Sequence, residues 1–413
     1  MVSGRKGALG ENVMIQSIGA NSGVIVAGAI FTLPALYILN LEAHFYQVFL
    51  SSLLGGVLGI LFLIPFRKYF VSDMHGKYPF PEATATTEVL VSGEKGGKQA
   101  RLLLISGLIG GIYDFIIATF GWWAEVFTTR VIPFGAQLAD RAKLVFKINV
   151  GSAVMGLGYI IGLKYAAIIA AGSFVGWFVI IPIINYFAPG ITVPVGNNVT
   201  NILANMSVED IFANYVRPIG IGGIAMAGVI GIIRSSGIIK KAFGLAISET
   251  FSKKQKASKE ELRTRRDIPM AIIAGGIVVT AILILIFFYF GVVHNLYHAL
   301  LALLIVMIIA FLFTTVAANA IAIVGTNPVS GMTLMTLIIT SLIMSSAGLS
   351  GQSGMVAALI IGGVVCTALS MAGGFITDLK IGYWLGSSPY KQESWKFLGA
   401  LVSAATVGGV IIL

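Results

Sequence analysis

Long apolar stretches separated by short polar breaks dominate the chain. From Ile268 to Thr377 there is no Asp, Glu, Lys or Arg, and there is none from Asn12 to Leu41. At 1.5 Å rise per residue, about 20 apolar residues cross the roughly 30 Å hydrocarbon core of a bilayer. Windows of this kind predict spans near residues 12–39, 46–66, 102–123, 148–163, 166–187, 211–233, 269–291, 296–319, 331–347, 355–376 and 393–413. The expected fold is an all-α, polytopic membrane bundle of about eleven spans, with the short windows 148–163 and 331–347 as broken or re-entrant helices. One segment is clearly water-soluble, Phe251 to Arg266 (FSKKQKASKEELRTRR). It lies in a basic stretch that divides the chain into a first hydrophobic half, 1–233, a linker, 234–267, and a second hydrophobic half, 268–413.

Charge sets an orientation. With the N-terminus in the cytoplasm, Arg67, Lys68, Lys77, Lys95, Lys98, Arg101, the basic linker, Lys380, Lys391 and Lys396 all collect on the inner side, as the positive-inside rule requires. The segment 124–147, with Arg130, Arg141, Lys143 and Lys147, is the exception and is placed outside. This arrangement predicts a multi-pass protein of the cell membrane, plasma or inner. The formal net charge of +10 sits between apolar spans, so anionic headgroups explain it and nucleic acid is not an expected partner. A single cysteine, Cys366, excludes an intramolecular disulfide and a cysteine metal cluster. Glycines at four-residue spacing, such as Gly55 and Gly59, let helix backbones approach closely.

Polar groups within spans are the functional candidates, because oil retains them only where protein or water pairs them. Asn12, Gln16 and Asn21 gather amides on one side of the first span, where they hydrogen-bond either a polar solute or a neighbouring helix. In Lys77 to Leu90 (KYPFPEATATTEVL), Pro81 suits a first helical turn. Glu82, Thr84, Thr86 and Glu88 then make the segment too polar to face lipid. Its N-terminal N–H groups suit a carboxylate, and Glu82 or Glu88 suits a transported proton; capping and solvation of an interfacial helix is the plainer reading. In Gly325 to Thr333 (GTNPVSGMT), Asn327 is expected to cap a helix begun by Pro328, with Ser330 and Thr333 beside it, amid residues free of charge. Asp378 and Lys380 end a span as a gate or an interface mark. Tyr113 and Asp114, the latter a lone carboxylate within a span, complete the set, and the proton-coupling candidates are Glu82, Glu88, Asp114 and Asp378. His294 and His298 have metal-pair spacing, but no carboxylate completes a site. No metal site, organic cofactor or catalytic group is expected.

Two of these segments resemble the oligopeptide transporter (OPT) family, in particular its bacterial and yellow-stripe-like members. KYPFPEATATTEVL is close to the family's Tyr-Pro-Pro-or-Phe-Pro-Glu-Gly-x-Ala-x-Ala-Glu-Val-Leu pattern, and Asn327 to Thr333 (NPVSGMT) to its Asn-Pro-Ile-or-Val-Ser-Gly-Met-Thr. Glu11 to Gln16, Phe31-Thr-Leu-Pro-Ala-Leu and Asp378-Leu-Lys-Ile-Gly-Tyr add support, in order along nearly the whole chain. Ala83 departs from the pattern's glycine, and Thr86 and Thr87 stand where small residues are common. Family members are longer, so the chain is expected to be incomplete at both ends. The resemblance implies proton-coupled uptake of small peptides, peptide-like molecules or metal chelates, driven by the proton gradient, with Glu82, Glu88 and Asn327 near the path. A passive channel for small polar solutes and a membrane-embedded lipid-modifying enzyme are the alternatives. The sequence shows no paired base and nucleophile for the latter. The expected partners are a small-molecule or peptide substrate and the lipid bilayer, and an assembly of identical copies is left open.

Overall fold

A computed structural model of the chain describes residues 7–41, 43–191, 193–194, 202–224, 226–227, 230, 233 and 262–412. In chain order its helices and strands are α1 (Leu9–Gly19), α2 (Asn21–Ala29), α3 (Pro34–Ile38), α4 (Phe45–Leu63), α5 (Pro81–Lys95), α6 (Gly97–Phe120), β1 (Val126–Thr128), α7 (Pro133–Arg141), β2 (Lys147–Asn149), α8 (Ser152–Ile161), α9 (Leu163–Phe174), α10 (Ile181–Phe187), α11 (Val208–Ile211), α12 (Met270–Phe288), α13 (Leu296–Val324), α14 (Val329–Ser346), α15 (Gly351–Trp384) and α16 (Pro389–Ile412). The protein is an all-α, multi-pass membrane bundle. Among the described residues, seven helical segments are long and apolar enough to cross a bilayer: Phe45–Phe66, Gly97–Phe120, Leu163–Phe187, Met270–Val293, Leu296–Val324, Gly351–Trp384 and Pro389–Ile411.

The differences from the expected spans have local causes. The window 12–39 is three helices rather than one: α1 gives way to α2 at Ala20, and the chain turns at Ile30 to Leu33 ahead of Pro34, which starts α3. Windows 148–163 and 331–347 hold short apolar helices, Ser152–Ile161 and Gly331–Ser346. Most of the linker 234–267 and part of the window 211–233 lie outside the described residues.

Two compact units emerge, residues 1–94 with 225–413, and residues 95–224. In the second unit, β1 and β2 pair antiparallel. Glu209 holds that pair by accepting from Lys147 Nζ at 2.6 Å and Arg130 Nη2 at 2.9 Å. An apolar cavity of about 230 Å³ lies here among Ile132, Phe134, Leu138, Leu144, Phe146 and Phe178. No sequence-read candidate lines it.

In the first unit α15 is the central helix, packed against α2, α4, α13 and α14. Its residues from Ala357 to Gly373 are buried without interruption, as expected of a helix surrounded by protein rather than lipid. Glycine makes the approach possible: a Cβ on Gly28 would meet the Thr367 backbone, one on Gly55 the Val364 carbonyl, and one on Gly59 the Ala368 carbonyl. Where lipid tails are as apolar as leucine, this close contact supplies the association that hydrophobic burial cannot. We therefore expect Gly59→Val to destabilise the detergent-solubilised protein by about 1–3 kcal/mol through overpacking against backbone. Gly275→Val, on α12 with open space around it, should leave the thermal midpoint nearly unchanged, and equal midpoints for the two variants would refute the packing account.

Candidate functional site

The site is built on the C-terminal half of α15. Asp378 and Lys380 are buried there at 2% and 0% exposure, which demands partners for both charges. Asp378 Oδ2 accepts from Lys396 Nζ of α16 at 2.5 Å, and Oδ1 accepts from Gln16 Nε2 of α1 at 2.9 Å. The same Lys396 ammonium donates to the Ser17 carbonyl at 2.9 Å and faces the Phe375 ring at 5.3 Å. Two more amides brace the pair: Gln392 Nε2 donates to the Asp378 carbonyl at 3.0 Å, and Asn21 Nδ2 to the Lys396 carbonyl at 3.4 Å. Thus α1, α15 and α16 are joined through one ion pair. Asn12 lies half-buried one turn before Gln16.

Lys380 holds the second element. Its Nζ donates to the Val71 carbonyl at 2.7 Å and lies 3.1 Å from His75 Nδ1. The rings of Phe80, Tyr383 and Trp384 surround it, with centroids at 5.1, 5.1 and 5.3 Å, so cation–π attraction replaces much of the lost hydration. Phe80 has φ +43, a left-handed conformation that a bulky residue adopts at a cost of about 1–3 kcal/mol. Its N–H donates to the Ala322 carbonyl of α13 at 3.0 Å. With its ring packed and its N–H tied, Phe80 turns the chain sharply into Pro81 and α5.

The third element meets the second at Gly325. This residue ends α13 at φ +76, and a Cβ there would lie 2.6 Å from Pro81 Cγ and 3.4 Å from the Glu82 nitrogen. The start of α5 and the loop leading into α14 are therefore in contact. Asn327 does not cap α14, contrary to the expectation from sequence: Pro328 occupies the cap position without a side-chain bond. The Asn327 amide instead donates to the Leu369 and Ser370 carbonyls of α15 at 3.4 and 3.3 Å, because α15 lies close enough for Gly373 to touch that amide. Its Oδ1 is buried without a hydrogen-bond donor. Thr333 donates to its own helix at Val329 and lies 2.9 Å from Cys366 Sγ; Ser330 is in the first turn of α14.

Along α5, which is not one of the long apolar helices, Glu82 keeps its side chain exposed. Protein crowding around its carboxyl, and then the charge of Asp378, hold its pKa above the ordinary glutamate value. Thr84 spends its hydroxyl on the Phe80 carbonyl at 3.0 Å. Thr86 is half-buried and Glu88 exposed. Tyr113 and Asp114 belong to the other unit and are engaged there: the Tyr113 hydroxyl donates to the Val150 carbonyl, and Asp114 accepts from the N–H and hydroxyl of Ser152, fixing the start of α8. His298 bonds the Ala347 carbonyl.

A family model described as OPT oligopeptide transporter protein matches residues 1–413. The chain belongs to the OPT family. A Haemophilus influenzae protein named "Putative oligopeptide transporter" is 26% identical over 438 residues, which cover 97% of this chain and 64% of that protein. The chain thus spans less than two thirds of that relative's length. Within this OPT chain, the segments that carry the family pattern, Lys77 to Leu90, Asn327 to Thr333 and Asp378 to Tyr383, are those that meet on α15. Lys396 and Gln392 escaped sequence reasoning. Their signal was a glutamine and a lysine in the polar first turns of α16 (PYKQESWK), which read equally well as interfacial residues.

Breaking a buried pair from one side leaves an uncompensated charge and costs about 3–5 kcal/mol, whereas removing both partners costs much less. Asp378→Asn and Lys396→Met should each lower the thermal midpoint sharply, and the double variant should recover part of the loss. Strictly additive losses would show that the two side chains do not act as a pair.

Proposed function

We propose that the protein is a secondary active transporter of small peptides or peptide-like molecules, driven by the proton gradient across the cell membrane, with its N-terminus in the cytoplasm. The observation that carries this reading is the contact of the α5 start with Gly325. It brings Glu82, an exposed residue, and the amide-bearing loop of Asn327 onto one helix with Asp378. A carboxyl on a solvent-exposed residue, crowded by protein so that its proton is held more tightly than usual, and near the buried Asp378 carboxylate, suits uptake of a proton from water and its release on a change of surroundings. The first N–H groups of α5 suit a peptide carboxylate. Membership of the OPT family and the name of the Haemophilus influenzae relative support peptides as the solute class, and metal chelates are the competing cargo.

The test is uptake into proteoliposomes of labelled di- to tetrapeptides and of iron chelates, with and without an inward proton gradient. Gradient-dependent peptide uptake is expected, with Glu82→Gln at least about tenfold slower at an unchanged amount of reconstituted protein, the size typical of losing one proton-transfer group. Uptake that ignores the gradient would favour a passive channel. Uptake of chelates but not peptides would reassign the cargo, and wild-type rates in Glu82→Gln would remove that residue from the coupling.

A further inference from the structure

The second unit holds a feature with no part in the transport reading, the apolar cavity of about 230 Å³ beside α7. Among the side chains that line it only Thr129 is polar, and its Oγ1 already accepts from the Phe146 N–H at 3.2 Å. A polar solute finds little to bond there, whereas hydrocarbon fits: an apolar cavity of about 150 Å³ stays dry and takes up benzene, and this one is larger. Ile132, Phe134 and Phe146 are exposed, so the cavity opens to the surroundings of the protein. Those surroundings are a membrane surface. The cavity-lining segment runs between the spans Gly97–Phe120 and Leu163–Phe187, and just past the first of them Trp122, Trp123 and Phe127 are exposed. Aromatic residues at the end of a span mark the level of the lipid headgroups.

Charge is arranged to match. Every charged residue that adjoins a lining residue in sequence is basic: Arg130 after Thr129, Lys143 before Leu144 and Lys147 after Phe146. Arg130 and Lys147 share the Glu209 carboxylate. Lys143 and Arg141 have no ion-pair partner among the described residues, and Asp140 is the one carboxylate beside them in sequence. Lys143 also holds a left-handed backbone, φ +55, just past the end of α7, where glycine or asparagine is the usual residue. The turn itself does not call for a lysine. Nor does topology, since the orientation set by charge places this segment outside, where basic residues are not needed.

We propose that the α7 cavity takes an acyl chain of an anionic phospholipid, whose phosphate is held by Lys143 and Arg141. The walls select the hydrocarbon, and the two unpaired cations at headgroup level select the negative charge. A free phosphate would gain nothing from the cavity, and a zwitterionic lipid, being neutral overall, would gain less from the cations. This inference goes beyond the transport reading and stands or falls without it.

The test is binding, not uptake. The full chain in detergent micelles is labelled with phosphatidylglycerol that carries a photoreactive diazirine in its acyl chain, and the labelled residues are mapped by mass spectrometry. Label concentrated on residues 129–146 and Phe178 is expected. Unlabelled phosphatidylglycerol should displace it at a concentration at least about tenfold lower than phosphatidylcholine does, since each basic residue near an anionic headgroup contributes several-fold. With Arg141→Gln and Lys143→Gln together, both surface changes, that preference should vanish while the label stays on the same residues. Leu144→Trp, which fills the cavity, should lower the label there at least about fivefold; if it does not fold, the surface double variant decides. Label spread evenly along the exposed faces of α6 and α9 would overturn the proposal. So would equal displacement by the two lipids in the wild type, a preference that survives in the double variant, or displacement by inorganic phosphate alone.

Discussion

Asp378 and Lys396 impose the arrangement of the first unit. Neither charge is tolerable alone between apolar helices, so α15 and α16 must present them to each other at one depth. The bond from Lys396 to the Ser17 carbonyl and the bond from Gln16 to Asp378 then fix α1 at the same level. The pair is a constraint on register more than a source of stability: apolar side chains of equal size would hold helices as well, but they would allow sliding. Glycine contacts along α2 and α4 bring the backbones close enough for polar groups of this length to meet, as in the bond from Ser370 Oγ to the Val24 carbonyl at 2.7 Å.

The same logic governs the other end of the site. Phe80 is held in an unfavourable backbone conformation by two attachments, its ring over Lys380 and its N–H on Ala322. What that strain secures is the direction of α5, whose first residues press on Gly325. Any side chain at 325 would face both a left-handed φ and the ring of Pro81. A residue without a Cβ is thus required where α5 and the α14 loop touch, and the contact is fixed by backbone rather than by adjustable side chains.

Much of this was legible in the chain. Charge-free runs marked the long spans, because no soluble core needs so many consecutive apolar residues. Pro81 and Glu82 announced a helix start too polar for lipid, and Gln16 and Asn21 stood out as amides in oil. Three things were not legible, and each is a tertiary fact. Lys396 reads as an interfacial lysine because its partner is 18 residues away on another helix. Asn327 has the spacing of a cap, but competition from the carbonyls of α15 redirects its amide. Asp114 looks like a lone buried carboxylate until Ser152, 38 residues later, supplies both of its donors.

These exceptions share a cause that bears on how polar residues in spans are read. A side chain in oil bonds whatever donor or acceptor the neighbouring helix offers, so type and position nominate candidates without distinguishing a solute's ligand from a helix tie. The difference lies in what is left over. Asp114 and Thr84 have hydroxyl, N–H or carbonyl partners and belong to the scaffold. Gln16, Asn21, Asn327 and Gln392 each use the NH2 group and retain an unpaired oxygen, and Glu82 is an exposed residue. Unspent capacity, rather than polarity as such, distinguishes groups left open to a further partner from those wholly spent on holding the bundle together. By that criterion the open capacity beside α15 from Leu369 to Asp378 belongs to Asn327, Gln392 and Gln16, which bond its Leu369, Ser370 and Asp378 groups through NH2 alone.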